Sequence, residues 1–124
     1  VSAGPLIVCA DDDEDILSLV AMRLAQAGYE VQKAEDGDSA LAAIRSRRPV
    51  LVVLDVMMPR RGGLEVLAEL RRDPELRDIK VIMLSARVQE PDVARGLAAG
   101  ADAYLLKPFK FADLVDKVGE LLAS

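Results

Sequence analysis

Pro49-Val50-Leu51-Val52-Val53-Leu54-Asp55-Val56-Met57-Met58-Pro59 is the stretch on which the reading of the fold turns. Five apolar residues between a proline and a carboxylate read as a strand buried on both faces, because a half-buried strand would alternate with polar residues. Asp55 is the first residue past that run and it is ionisable. In open parallel α/β sheets, ligands bind beyond the carboxyl ends of the strands. Three more apolar runs end in the same manner. Leu6-Ile7-Val8-Cys9-Ala10 meets Asp11-Asp12-Asp13, Val81-Ile82-Met83-Leu84 meets Ser85-Ala86, and Tyr104-Leu105-Leu106 meets Lys107-Pro108. Gathered at one sheet edge, these ends would present acids, an acid, a hydroxyl and a lysine to a single crevice.

Amphipathic stretches separate the runs. Ile16, Val20, Leu24 and Ala27 recur about every four residues, which is one face of a helix, and Gly28 is a stop signal. A short strand is expected over Tyr29 to Lys33 and a second helix over Asp36 to Ser46. Gly62-Gly63 lead into a helix with Leu64, Leu67 and Leu70 on one face, broken by Asp73-Pro74. Pro91 and Gly100 bracket a further helix with the usual proline-first, glycine-last asymmetry. The fifth strand is expected over Ala101 to Leu106. The last helix carries Phe111, Leu114, Val115, Val118, Leu121 and Leu122 at 3-4 spacing. Strands separated by single helices predict an α/β fold of (βα)₅ type, a parallel sheet with right-handed crossovers. No linker, repeat or low-complexity segment interrupts residues 1–124, which read as one domain with a core from about 6 to 122.

Composition narrows the function. The chain has 124 residues, enough for one core, and 52% of them are hydrophobic. Aromatics make up only 3%, so the core is aliphatic and stacking on bases is disfavoured. A net charge of −5 opposes direct binding to nucleic acid or anionic lipid. The absence of histidine excludes a His metal site or a His nucleophile from this chain. Cys9, the single cysteine, excludes an internal disulfide, suits a reducing cytoplasm and reads as a small core residue. No apolar stretch reaches the roughly 18 residues needed to span a bilayer, and no signal peptide is visible.

The acids invite two readings. Carboxylates clustered at a buried strand end repel one another unless a cation neutralises them. A hard divalent ion fits, and Mg²⁺ takes one or two carboxylates with phosphate and water. Helix capping is the bland use, and it accounts for Asp13, with Asp15 in the first turn, but not for Asp11 and Asp12. Asp55 is either a loop acid or a nucleophile toward a phosphoryl group. Lys107 is either a surface lysine or a partner for a carboxylate or for phosphoryl oxygens. Pro108 keeps Lys107 out of helical geometry, and the bond between them can be cis at modest cost. Ser85 offers a hydroxyl donor, or serves as a commonplace turn residue.

Taken together, these positions resemble the receiver domain of two-component response regulators, the CheY-like family. The match rests on Asp11-Asp12, Asp55 in Leu54-Asp55-Val56-Met57-Met58-Pro59, Ser85-Ala86, the run from Ala99 to Phe109, and the spacing among them. It runs from about Leu6 to Leu122. The resemblance implies a doubly wound, flavodoxin-like sheet of strand order 2-1-3-4-5. It implies a cytoplasmic phosphorylation-dependent switch that assists its own phosphorylation and dephosphorylation, not a turnover enzyme. Asp55 would be the phosphoacceptor. Asp12, Asp55 and the backbone carbonyl of Met57 would bind Mg²⁺ directly, and Asp11 through water. Lys107 would pair with the phosphoryl group, the Ser85 hydroxyl would move toward it, and Tyr104 would turn inward. The implied donor is a sensor histidine kinase or a histidine phosphotransfer protein, and the output is an effector domain or target protein.

Two departures from the family pattern stand out. The loop after Pro59, often Gly-Met-Asp-Gly, is Arg60-Arg61-Gly62-Gly63. The segment often written Gly-Ala-Asp-Asp-Tyr has Ala103 in place of its second acid. That acid supports a homodimer through the face of the Pro91–Gly100 helix, the fifth strand and the last helix, so its loss argues against that dimer. Other classes compete less well. A phosphatase of the haloacid-dehalogenase type wants Asp-x-Asp, and Asp55-Val56-Met57 lacks the second acid. A flavodoxin-like nucleotide or flavin binder wants a glycine-rich loop where Asp11-Asp12-Asp13 stand. A receiver-like fold that only dimerises would not need its acids, Ser85 and Lys107 intact.

Overall fold

The computed structural model describes residues 4–85 and 99–123. The described elements follow in the expected order: β1 (Leu6–Ala10), α1 (Glu14–Gln26), β2 (Glu30–Ala34), α2 (Gly37–Arg47), β3 (Leu51–Asp55), α3 (Gly63–Arg72), β4 (Lys80–Ser85), β5 (Ala103–Leu106) and α4 (Phe111–Ala123). The helix expected between Pro91 and Gly100 lies outside the described residues, apart from its end. All strand pairs are parallel, and the order is β2-β1-β3-β4-β5. This is the doubly wound arrangement, with β3 in the middle and all five of its residues buried.

The pleat sends alternate side chains to two cores. Ile7 and Cys9 of β1, with Leu51 and Val53 of β3, meet Leu17, Val20 and Leu24 of α1 and Leu114 and Val118 of α4. Val8 and Ala10, with Val52 and Leu54, meet Leu41 and Ile44 of α2 and Val66, Leu67 and Leu70 of α3. A strand covered on both faces has no use for polar residues, which is why the Leu51–Leu54 run is unbroken. Cys9 is buried in the first core, and burial pushes its thiol up to about 12. Among the described residues no helix is long and apolar enough to cross a membrane.

Several boundaries differ from the sequence expectation by a residue or two, and three of them have a local reason. β2 starts at Glu30 because the Tyr29 N–H donates back to Leu24 O (3.1 Å) and closes α1. Asp36 is the cap of α2 and not its first turn: its carboxylate accepts the Ser39 N–H at 2.7 Å. β5 begins at Ala103, two residues late, because the Asp102 carboxylate accepts the Val81 N–H (2.8 Å) in place of a strand carbonyl.

That carboxylate also accepts from Arg71 at 3.1 Å. The Arg71 fork donates further to the carbonyls of Arg77 (2.9 Å), Ile79 (2.8 Å) and Gly100 (2.7 and 2.9 Å). One guanidinium thus ties the end of α3 to the start of β4 and the approach to β5. Arg71→Ala should lower stability by about 2–3 kcal/mol, because part-buried carbonyls lose their donor. Arg71→Lys should recover only part of this, since an ammonium lacks the planar fork. Urea unfolding midpoints check it, and a lysine variant equal to the native protein would refute the role of the fork.

Candidate functional site

Parallel pairing brings the carboxyl ends of β1, β3, β4 and β5 to one edge. Backbone bonds then lock the ends together: Val56 N–H donates to Leu84 O (2.8 Å), and Lys107 N–H to Ser85 O (2.7 Å). Asp11 and Asp12 follow β1, Asp55 ends β3, Ser85 ends β4 and Lys107 follows β5. The chain winds from β1 outward to β2 and then returns to β3, so Asp11 and Asp55 flank the point where winding reverses, the expected place for a ligand.

The three consecutive acids divide their work. Asp13 caps α1, accepting from the N–H groups of Asp15 (3.1 Å) and Ile16 (3.2 Å). Asp11 is only 1% exposed; one oxygen accepts the Asp13 N–H and the other the Lys107 ammonium, both at 2.9 Å. Asp12 is exposed and faces the same crevice, for oxygens of Asp11, Asp12 and Asp55 lie within 4.8 Å of one another. Asp55 is 4% exposed, with Lys107 Nζ 3.4 Å from its Oδ1. Three carboxylates against one ammonium leave two negative charges. An all-oxygen donor set with that surplus fits a hard divalent cation, so this cluster can hold a metal ion.

The electrostatics follow from crowding. Burial first, then the charge on Asp11, pushes the Asp55 carboxyl up to about 6, and Lys107 offsets only part of this. Burial pulls the Lys107 ammonium down, but its bond to Asp11 and the nearby charge of Asp55 outweigh that and raise it. Lys107 therefore stays charged, while Asp55 is the group that titrates near neutrality.

The other candidates sit close by. Ser85 is buried at the end of β4. Tyr104 is half-buried beside Met83 on the α2/α3 side of the sheet. The Lys107-Pro108 bond is cis. Two supporting features escaped the sequence reading. A Cβ on Gly63 would stand 2.3 Å from the Asp55 carbonyl oxygen, so only glycine lets α3 start so near the acid. The second is the set of contacts that binds Arg60 and Arg61 to α2. The Gly62-Gly63 doublet signalled the first; nothing local signalled the second.

A site of this composition at this sheet edge matches a known pattern: the model of the response regulator receiver domain family fits residues 7–119. The chain belongs to the response-regulator receiver family. The DNA-binding dual master transcriptional regulator RpaA of Synechocystis sp. is 42% identical over 118 residues, covering 95% of this chain and 49% of that protein. The phosphate regulon transcriptional regulatory protein PhoB of Pseudomonas aeruginosa is 40% identical over 119 residues, covering 96% of this chain and 52% of that one. The chain thus spans about half the length of these relatives. Among solved structures, the receiver domain of Francisella response regulator 1452 superposes with a TM-score of 0.91 at 32% identity, covering 97% of this chain and 98% of that one. The receiver identity makes this chain a phosphorylation-dependent signalling switch of the two-component type.

The raised Asp55 carboxyl has a signed consequence for the metal-free receiver. A carboxyl that ionises near 6 when folded and near 3.8 when unfolded destabilises the fold above pH 6, and the penalty fades as pH falls through that window. In chelator, Asp55→Asn should therefore be more stable at pH 7.5 by on the order of 2–3 kcal/mol, with the gap closing toward pH 4.5. Melting curves across this range test it. Parallel pH profiles for the two proteins would refute the assignment.

Proposed function

We propose that Asp55 accepts a phosphoryl group from a sensor histidine kinase or a histidine phosphotransfer protein, in a reaction assisted by Mg²⁺. The observation that carries this reading is the near-buried Asp55 carboxylate beside Lys107 Nζ at 3.4 Å, within one 4.8 Å cluster with Asp11 and Asp12. Asp12, Asp55 and the Met57 carbonyl would hold the ion. Asp11 would act through water, a role supported by the single donor already engaged at each of its oxygens. When bound, Mg²⁺ supplies charge neutralisation for the carboxylates and the transferring phosphoryl oxygens.

In the transfer, an Asp55 carboxylate oxygen attacks phosphorus. The P–N bond of the donor histidine breaks, and its electron pair stays on the ring nitrogen. A ring protonated on its other nitrogen leaves as neutral imidazole. The product is an acyl phosphate. Hydrolysis reverses the state: water oxygen attacks phosphorus, inorganic phosphate departs, and the Asp55 carboxylate returns. The chain thereby assists gain and loss of its own phosphoryl group without turning over a separate substrate. Lys107 pairs with the phosphoryl oxygens, Ser85 donates its hydroxyl, and Tyr104 moves in response, shifting the population of two surface states.

Residues 1–124 form one receiver domain in this reading, with output through an effector domain or target protein in the cytoplasm. Relatives twice as long, one of them DNA-binding by name, support an effector beyond the receiver. The −5 net charge opposes nucleic-acid contact by the receiver itself. Ala103 is buried and uncharged, which opposes a homodimer that relies on an acid there.

Acetyl phosphate with Mg²⁺ should add one phosphate per chain, read by intact mass, and Asp55→Asn should take none. Undiminished labelling of that variant would overturn the assignment. Independently, Mg²⁺ at ten times its Kd should stabilise the native receiver by about 1.4 kcal/mol. Asp12→Asn should abolish this increment while leaving the metal-free melting temperature equal or higher. A native melting temperature indifferent to millimolar Mg²⁺ would exclude the site.

A further inference from the structure

The loop from Asp55 to α3 is closed at its base and gripped from outside. Gly63 N–H donates to Val56 O at 3.0 Å, and Gly63 itself lies against the Asp55 carbonyl. Midway, Arg60 adopts a left-handed backbone at φ 67, a conformation that non-glycine residues hold only when their surroundings impose it. The first turn of α2 supplies those surroundings. A Cβ on Gly37 would stand 1.9 Å from the Arg61 carbonyl oxygen and 2.6 Å from Arg61 Cβ, so the two backbones touch because residue 37 has no side chain. Asp38 Oδ1 accepts from Arg61 Nε at 3.0 Å, Glu69 of α3 stands 3.7 Å from the same guanidinium, and Asp36 lies 3.6 Å from Arg60.

We propose that the first turn of α2, through Gly37 and the Asp38–Arg61 pair, is a positioning element for the acceptor loop. It sets where the Met57 carbonyl stands relative to Asp55, and thereby the affinity for Mg²⁺. This inference rests on the reading of Asp55 and Met57 given above. The physical argument is confinement. A displacement at Arg61 cannot be absorbed at Gly62-Gly63, because Gly63 is already packed against the Asp55 carbonyl. It must pass the other way, through Pro59 and Met58 to Met57. Gly37 and Asp38 touch no reacting atom; they act through the loop. The two arginines that break the family pattern are thereby accounted for, since acids on α2 and α3 hold them.

The test uses Gly37→Ala, which forces a methyl into the Arg61 backbone, with Asp38→Ala and Arg61→Ala as milder variants. Mg²⁺ binding to the metal-free receiver is measured by calorimetry, amide exchange of residues 56–63 by NMR, and acetyl phosphate labelling as a function of Mg²⁺. Gly37→Ala should raise the Mg²⁺ Kd about tenfold, as loss of a support behind a ligand does. The half-saturating Mg²⁺ for labelling should rise by the same factor, while the rate at saturating Mg²⁺ stays within about twofold. The Gly63 amide should exchange faster without metal. Asp38→Ala and Arg61→Ala should shift Kd in the same direction, and their double variant should not be additive, because both remove one pair. They carry the test if Gly37→Ala does not fold. A lowered melting temperature with unchanged Kd in every folded variant would overturn the inference alone. Failure of the native receiver to bind Mg²⁺ would overturn the site reading and this inference together.

Discussion

Two carboxylates with almost no exposure, Asp11 and Asp55, end neighbouring strands, and the ammonium of Lys107 is the charge that allows them to stay there. Removing one partner of a buried ion pair leaves an uncompensated charge and costs on the order of 3–5 kcal/mol. The Lys107–Asp11 contact also spans 96 residues, so it links the end of the last strand to the end of the first, past β3 and β4. The compensation is incomplete by design of the composition: one ammonium meets three acids. The remainder keeps Asp55 reluctant to ionise and leaves room for a divalent cation to finish the neutralisation.

Everything else in the structure serves to hold that edge still. Two aliphatic cores clamp the sheet from both faces, so the strands that carry Asp11, Asp55 and Ser85 have no freedom to splay. At the opposite side of the same elements, Arg71 gathers carbonyls from the two segments that lead into β4 and β5. The loop after Asp55 is held by contacts of two kinds. Glycines allow backbone to lie on backbone, and acid–arginine pairs on the outside close over it. The pairs are solvent-exposed and contribute little each. The glycine contacts are steric and do not weaken with salt.

Comparison of the chain with its fold shows where local reading stops. The order of elements, the buried middle strand and the capping role of Asp13 were all readable, because each depends on periodicity or on residues within a few positions. The boundaries at Glu30, Asp36 and Ala103 were missed by one or two residues. At Glu30 a hydrogen bond to the preceding helix, and at Ala103 one to β4, displaced the strand start, while Asp36 turned its carboxylate to the Ser39 N–H and became the cap of α2 instead of its first residue. That Asp11, Asp12, Asp55, Ser85 and Lys107 would meet at one edge was readable because all stand at the ends of apolar runs, and a parallel sheet brings such ends to one side.

The sequence by itself determined the layering and the chemistry available: which runs are buried, which residues punctuate them, and that acids and one lysine would share an edge. These follow from hydrophobic periodicity and chain connectivity, which act along the chain. Only the tertiary structure decided which oxygen Lys107 takes, how strongly Asp55 resists ionisation, and why residues 37 and 63 must be glycine. Those depend on distances between segments tens of residues apart, where a shift of one ångström changes an ion pair into a solvated charge or a contact into a clash.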